Sequence, residues 1–282
     1  MPFPRIGVRW SARRALGLLL VGALVVCAAS AVYAQRFRFR QRAMPYATPD
    51  SFDGAFHFCR AAYRSTPYGD GGGWTTDYPD ADRNLSIRVG ELTKIAVSKD
   101  AGGEPNFLIV PLSDPLLFQC PFIMAFEVGT FDVRPDEAEA LRAYLLKGGF
   151  MWVDDFWGQY AWDIWESGIR KVLPETATYP IVDIPLDHPL FHTVFPIDHI
   201  SQIPSINYYL GTGDTSERGA ASRPAHIRGI FDDQGRLMVL MTHNTDFGDS
   251  WERETLSHDY FLRFSVDGYA FGVNAIVYAM TH

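Results

Sequence analysis

The sequence predicts an α/β domain built on a doubly wound, mostly parallel sheet. Two continuous apolar runs, at 106–112 and 122–127, have the length and composition of strands that are buried on both faces. Between 135 and 173 a helix, a strand and a second helix follow one another, and this alternation favours parallel pairing. The length of 282 residues and a hydrophobic share of 47% suit one large domain with a sizeable core.

The first 34 residues are predicted to be an export signal or a membrane anchor. Four arginines precede an uncharged apolar run from Ala15 to Ala34, which ends in a small-residue pattern suited to cleavage. The run is also long enough to span a bilayer uncleaved. We expect residues 35–50 to form a linker and 51–282 to form the folded domain. The protein is therefore expected to be exported, either periplasmic or anchored in the bacterial inner membrane.

The charge balance excludes one class of partner. The chain has 33 acidic and 25 basic side chains, and loss of the signal arginines would make it more acidic still. Such a surface does not bind nucleic acid through phosphate contacts. The expected partners are the membrane, through an uncleaved N-terminal segment, or another protein of the cell envelope. Outside the cytoplasm, Cys59 and Cys120 are expected to form either one disulfide or two buried thiols.

The first half of the domain is expected to contain three strands and a helix. The strands are predicted at 55–63, 106–112 and 122–127, with a glycine-rich loop at 69–74. A helix over 85–97 follows this loop, and its expected cap is Asp82 or Asn84.

The second half is expected to contain three helices, a strand and a hairpin. The first helix begins at Pro135 and ends at Gly148, with Ala138, Leu141 and Leu145 on its apolar face. The remaining elements are a strand at 149–155, a helix at 158–173, an irregular stretch at 180–228, a hairpin that turns at 233–235, and a final apolar helix at 269–280.

Six ordered stretches carry a resemblance to a known family. They are "GGGWTTDYPDADRNLSIRVGELTK", "PLSDPLLFQCPFIMAFE", "LRAYLLKGGFMWVDDFWG", "DHPLF", "GRLMVLMTHNTDFGDSWE" and "GVNAIVYAM". Over residues 52–281 the chain resembles the bacterial domain-of-unknown-function family 4159. The resemblance implies a flavodoxin-like, three-layer fold similar to that of the class I glutamine amidotransferase-like superfamily. It implies no established activity.

One departure from that superfamily bears on function. Its glutaminases place a nucleophilic cysteine after the strand that follows "GG", whereas here that strand ends in Asp154 and Asp155. A carboxylate does not replace a thiolate in acyl transfer from glutamine. Glutamine amidotransferase activity is therefore not expected.

Asp154 and Asp155 lie where open α/β sheets bind ligands, at the carboxyl end of a strand. Neighbouring strand residues point to opposite faces, so only one of the two is expected to face the crevice. Asp155 is expected to cap the following helix, or else the pair is expected to bind a ligand or metal or to take part in acid–base catalysis.

A second polar cluster follows the predicted strand of the hairpin. His243, Asn244, Asp246 and Asp249 are expected to face Asp154 across the sheet edge, where they would hold a divalent cation. The alternative is a polar turn in which Asp246 and Asp249 are cap residues.

Two further residues complete the candidate ligand-binding set. Trp74 and Asp77 lie in and just after the glycine-rich loop. The tryptophan is expected either to stack on a sugar or to pack in the core.

The function expected from these residues is a non-enzymatic ligand-binding or interaction module of the cell envelope. A divalent cation is the one cofactor considered, and no catalytic residue is assigned. The alternatives are a metal- or carboxylate-dependent hydrolase acting on carbohydrate or peptide, and a structural subunit of a membrane complex.

Overall fold

The protein has a central seven-stranded sheet. The structure is a computed structural model that describes residues 44–282. The strands of the chain are β1 (Phe58–Ala62), β2 (Arg64–Ser65), β3 (Phe107–Pro111), β4 (Phe122–Phe126), β5 (Phe131–Asp132), β6 (Phe150–Phe156), β7 (Val182–Asp183), β8 (His226–Phe231) and β9 (Leu237–His243). Strands β2 and β5 form a separate antiparallel pair.

The sheet has the order β3-β1-β4-β6-β9-β8-β7. Its first five strands are parallel, while β8 and β7 continue it antiparallel as far as the edge. Numbered along the chain, the five parallel strands have the 2-1-3-4-5 order of flavodoxin-like sheets. The predicted fold class and the predicted β8–β9 hairpin are confirmed.

Helices cover both faces of the sheet. They are α1 (Asp80–Leu92), α2 (Pro135–Leu146), α3 (Gly158–Val172), α4 (Ile206–Thr212), α5 (Phe247–Glu252), α6 (His258–Tyr260) and α7 (Val266–Thr281). Buried side chains of α2 and α3 pack on one face, and those of α1, α5 and α7 pack on the other. The domain therefore has three layers. None of the helices within residues 44–282 has the length and apolarity to cross a bilayer, and the predicted signal or anchor lies outside the described residues.

Helix α2 follows the prediction closely. Pro135 is its first residue, and Gly148, just beyond its end, has a φ of +111° that favours glycine. The predicted apolar stripe of Ala138, Leu141 and Leu145 is buried. The irregular stretch at 180–228 is also present, although it contains β7 and α4.

Helix α1 differs from the prediction at its start. It begins at Asp80, so Asp82 and Asn84 lie inside it and neither caps it. Asp82 is fully buried and forms an ion pair with Arg60 of β1, whose Nε lies 2.9 Å from Asp82 Oδ2. The Asn84 side-chain amide donates to the backbone carbonyl of Trp251 at 2.7 Å. Both polar side chains therefore bind distant segments, and local spacing does not reveal such partners.

The two cysteines are joined. Cys59 of β1 forms a disulfide with Cys120, which lies just before β4. Of the two alternatives left by the sequence, the disulfide is the one present.

Candidate functional site

A bulge at the end of β6 gives Asp154 and Asp155 different surroundings. The pairing of β6 with β9 shifts between Val153 and Phe156, and Asp155 within this interval has a φ of +57°. A bulge redirects a side chain that regular alternation would send to the other face. Left-handed backbone at a residue other than glycine is costly and clusters at functional sites.

Asp154 has a structural role next to the cavity. Its Oδ1 accepts a hydrogen bond from Thr242 Oγ1 at 2.5 Å, and its Oδ2 accepts one from the Gly248 amide at 2.9 Å. Burial raises the pKa of its carboxyl to about 7. With both oxygens partnered and the side chain fully buried, Asp154 holds the β9–α5 loop in place.

Asp155 does not cap α3, whereas Asn244 accepts a hydrogen bond from its first residue. Asp155 accepts a hydrogen bond from Trp157 Nε1 at 2.8 Å and lines a cavity, so the prediction that it caps α3 is wrong. Asn244, a predicted ligand, instead accepts the hydrogen bond of Gly158, the first residue of α3, at 2.7 Å. Its side-chain oxygen is thereby committed to the helix.

His243 does not meet the aspartates. Thr242 contacts Asp154, and because neighbouring strand residues alternate, His243 points to the opposite face of the sheet. There its Nε2 lies 3.1 Å from the Gly158 carbonyl oxygen, and its ring packs against Phe156. Burial and Arg228 lower the pKa of His243 to about 4. The prediction of a site that combines His243 with Asp154 is wrong.

A cavity of about 220 Å³ gathers the carboxylates at the carboxyl ends of the parallel strands. Ligands bind there in open α/β folds. The charged residues that line it are Asp70, Asp77, Glu127, Asp155, Glu217, Arg218, Asp246, Asp249 and Arg253. Seven acidic groups thus face two basic ones, which makes the cavity strongly acidic.

Asp77 is one of the residues that line this cavity. It belongs to the loop between β2 and α1, has a φ of +61° and is 9% exposed. Its buried Oδ2 has no hydrogen-bond partner among the described residues. A Cβ on Gly248 would lie 2.1 Å from this oxygen, so the absence of a side chain at that position makes room for the carboxylate.

Arg60 holds the loop that contains Asp77 in place. The Arg60 guanidinium donates to the carbonyl oxygens of Trp74 and Thr76 at 2.8 and 2.7 Å while it pairs with Asp82. Trp74 itself is half-buried, packs edge-on against Tyr46 and does not line the cavity. Of its two expected roles, packing is the one observed.

Three carboxylates converge in the cavity and are here called the first triad: Asp77, Asp155 and Asp246. One oxygen of each lies within 4.8 Å of the others. Asp246 also accepts the amide hydrogen bond of Asp249 at 2.7 Å and so caps α5. The alternative in which Asp246 is a cap residue is therefore confirmed, and its side chain also borders the cavity.

The carboxylates of the first triad hold protons more tightly than usual. Burial raises the pKa of all three well above 3.8. Nearby carboxylates raise them further, chiefly Asp249 for Asp77, Glu127 for Asp155, and Asp155 for Asp246. A bound divalent cation would reverse this effect, since oxygen ligands are deprotonated when they coordinate.

Glu127 was not singled out by the sequence. It directly follows β4 with a φ of +47°, and its carboxylate accepts the Gly73 amide hydrogen bond at 2.9 Å. Its side chain lines the cavity together with Asp155 and raises the pKa of that carboxyl. The available signal was an acidic residue at the end of a buried strand, the same signal that identified Asp154 and Asp155.

The stability of the cation-free protein is expected to fall as the pH rises from about 4 to about 7. Burial raises the pKa values of Asp154 and Asp249 from 3.8 to about 7. In this window the folded state keeps protons that the unfolded state has released. Each group therefore lowers the free energy of unfolding by up to about 1.4 kcal/mol per pH unit.

Urea unfolding at pH 5 and pH 7 in the presence of a chelator would measure this slope. Asp154→Asn is expected to reduce it. An unfolding free energy that stays constant or increases over this interval would contradict the expectation.

The comparisons with known proteins identify a family and nothing more specific. A family model described as "Domain of unknown function (DUF4159)" matches residues 57–280. No curated protein matches the chain. The matched region runs from the residue before β1 almost to the end of α7, so it includes every residue of the acidic cavity.

Proposed function

The chain belongs to the DUF4159 family, and we propose that it is a ligand-binding module of the cell envelope whose ligand is a divalent cation. The proposal rests on two observations, the first triad and the unpartnered oxygen of Asp77. Hard cations such as Ca²⁺, Mg²⁺ and Mn²⁺ prefer this kind of oxygen-only site.

The distribution of charge supports a cation in the first triad. The two arginines of the cavity are used elsewhere: Arg218 pairs with Asp70 at 2.9 Å, and Arg253 contacts Glu252. In the described part of the chain, no ion pair reaches Asp77, Asp155 or Asp246. Buried carboxylates that stay charged are paired or bound to a metal. A divalent cation would neutralise the repulsion that now raises their pKa values.

Export completes the proposal. The N-terminal pattern of residues 1–34 is typical of a signal or an anchor. The disulfide between Cys59 and Cys120 supports an oxidising compartment. We propose that the module acts in the periplasm or at the inner membrane, and that its partners are the membrane or an envelope protein.

Hydrolysis is the second candidate, and one pair of residues favours it. Glu127 and Asp155 both line the cavity, burial raises the pKa of each, and Glu127 is the carboxylate that raises the pKa of Asp155 most. Two neighbouring carboxyl groups whose pKa values differ from the usual can act as an acid and a base. Hydrolysis of a carbohydrate or peptide that persists after chelation would favour this candidate over the binding module.

Titration calorimetry and metal analysis of the chelator-treated, full-length protein test the proposal. We expect Mn²⁺, Ca²⁺ or Mg²⁺ to bind with a Kd of about 10⁻⁷–10⁻⁵ M, the range of carboxylate sites that respond to a cation. Asp155→Asn is expected to weaken binding at least about tenfold because it removes a ligand. Asp233→Asn, in the exposed hairpin turn, removes the same charge and should leave affinity unchanged. Absence of binding together with an unchanged Tm for all three ions would refute the cation site.

A further inference from the structure

A second group of carboxylates adjoins the first and is here called the second triad: Asp77, Asp249 and Glu252. One oxygen of each lies within 4.8 Å of the others, as in the first triad. Asp77 is common to the two triads. Because a carboxylate has two oxygens, Asp77 is able to bind one cation with each of them.

Asp77 is more than a member of an acidic patch. It is 9% exposed, lines the cavity, and its Oδ2 accepts no hydrogen bond from the described residues. A buried acceptor left without a partner lowers stability, and more so when it is charged. A cation at this oxygen would remove that cost, so the unpartnered atom itself indicates a ligand.

Asp249 is positioned with one oxygen held and one available. Its Oδ2 accepts the amide hydrogen bond of Ile206, the first residue of α4, which fixes the orientation of the carboxylate. Its Oδ1 lies 3.5 Å from Arg253 Nε. The side chain is therefore oriented from behind, as a ligand carboxylate usually is.

Arg253 supplies positive charge to the second triad. Its Nε contacts Glu252 and faces Asp249, while its side chain is 37% exposed. An arginine at the end of a short helix can move its head group into solvent while its stem remains in place. The second triad thus already holds a cation, but one that a divalent ion is able to displace.

We propose that Asp77 bridges two divalent cations, one in each triad, an inference that rests on the cation site proposed above. The first lies in the first triad. The second displaces the Arg253 guanidinium and binds Asp249 and Glu252. Cations in such paired sites lie about 3.5–4 Å apart. Because it competes with Arg253, the second cation binds more weakly than the first.

Titration of the full-length protein with Mn²⁺, followed by calorimetry and electron paramagnetic resonance, tests this proposal. We expect two Mn²⁺ per chain, and spectra that change from an isolated ion to an exchange-coupled pair as the second site fills. Arg253→Gln is expected to tighten the second binding step about tenfold or more, because it removes the competing charge. Glu252→Gln is expected to leave one Mn²⁺ and no coupled spectrum.

The outcomes separate the two proposals. A single Mn²⁺ whose affinity and spectrum are the same in the wild type, Arg253→Gln and Glu252→Gln would overturn the second site and leave the first intact. Absence of any bound Mn²⁺ would overturn both. Two Mn²⁺ without spin coupling would show that the ions lie apart and would overturn the bridging role of Asp77.

Discussion

Replacing Asp77 with asparagine is expected to stabilise the cation-free protein while abolishing its response to cations. The substitution preserves shape but removes one charge from a cluster in which Asp249 and Glu252 raise the pKa of Asp77. The free energy of unfolding at pH 7.5 in chelator should rise by at least about 1 kcal/mol. Affinity for Mn²⁺ should fall by at least about a hundredfold, since a central ligand is lost.

Paired thermal or urea unfolding, with chelator and with Mn²⁺, measures both effects on the same sample. Asp233→Asn again serves as the matched control, because its carboxylate lies in the exposed turn of the β8–β9 hairpin. Gain of stability with loss of binding is typical of residues kept for function at a cost in stability. If Asp77→Asn instead destabilised the cation-free protein and still bound Mn²⁺ normally, Asp77 would be a structural residue.

The second large effect is expected at Arg60. Arg60→Met leaves Asp82 fully buried without its partner, which typically costs about 3–5 kcal/mol. It also removes the donors that hold the carbonyl oxygens of Trp74 and Thr76, directly before Asp77. Cation affinity should therefore fall together with stability, although Arg60 lies outside the cavity.

Denaturant titration of a double-mutant cycle measures this coupling. Arg60→Met combined with Asp82→Leu removes both charges, and exchange of a buried ion pair for apolar groups is often nearly neutral. The double variant is expected to recover much of the stability and little of the cation affinity, because the loop anchors are still missing. A loss of less than about 1 kcal/mol in Arg60→Met would contradict the structural role assigned to this pair.

The fold was predictable because its signals are local. The apolar runs that became β3 and β4 are continuous in sequence, and the bounds of α2 follow from Pro135 and Gly148. The order of strands and helices then leaves few topologies, since crossovers between parallel strands are right-handed. Membership of the family, inferred from six short stretches, is confirmed over residues 57–280.

The position of the acidic cavity was predictable, but its lining residues were predictable only in part. Residues that follow β6 and β9 do line the cavity, but which aspartate faces it depends on a bulge at Asp155. Thr242 contacts Asp154, and neighbouring strand residues point to opposite faces, so the side chain of His243 points to the other face of the sheet. The Arg60–Asp82 pair and the α3 cap by Asn244 join segments distant in sequence, so spacing alone gives no indication of them.

Gly248 allows two distant segments of the chain to meet at the cavity. Its missing side chain lets Asp77, from the loop before α1, lie against the start of α5. One wall of the cavity is thus shared by segments that are far apart in the sequence. The proposed cation site would therefore require both segments to be in place, and a partly folded chain would lack it.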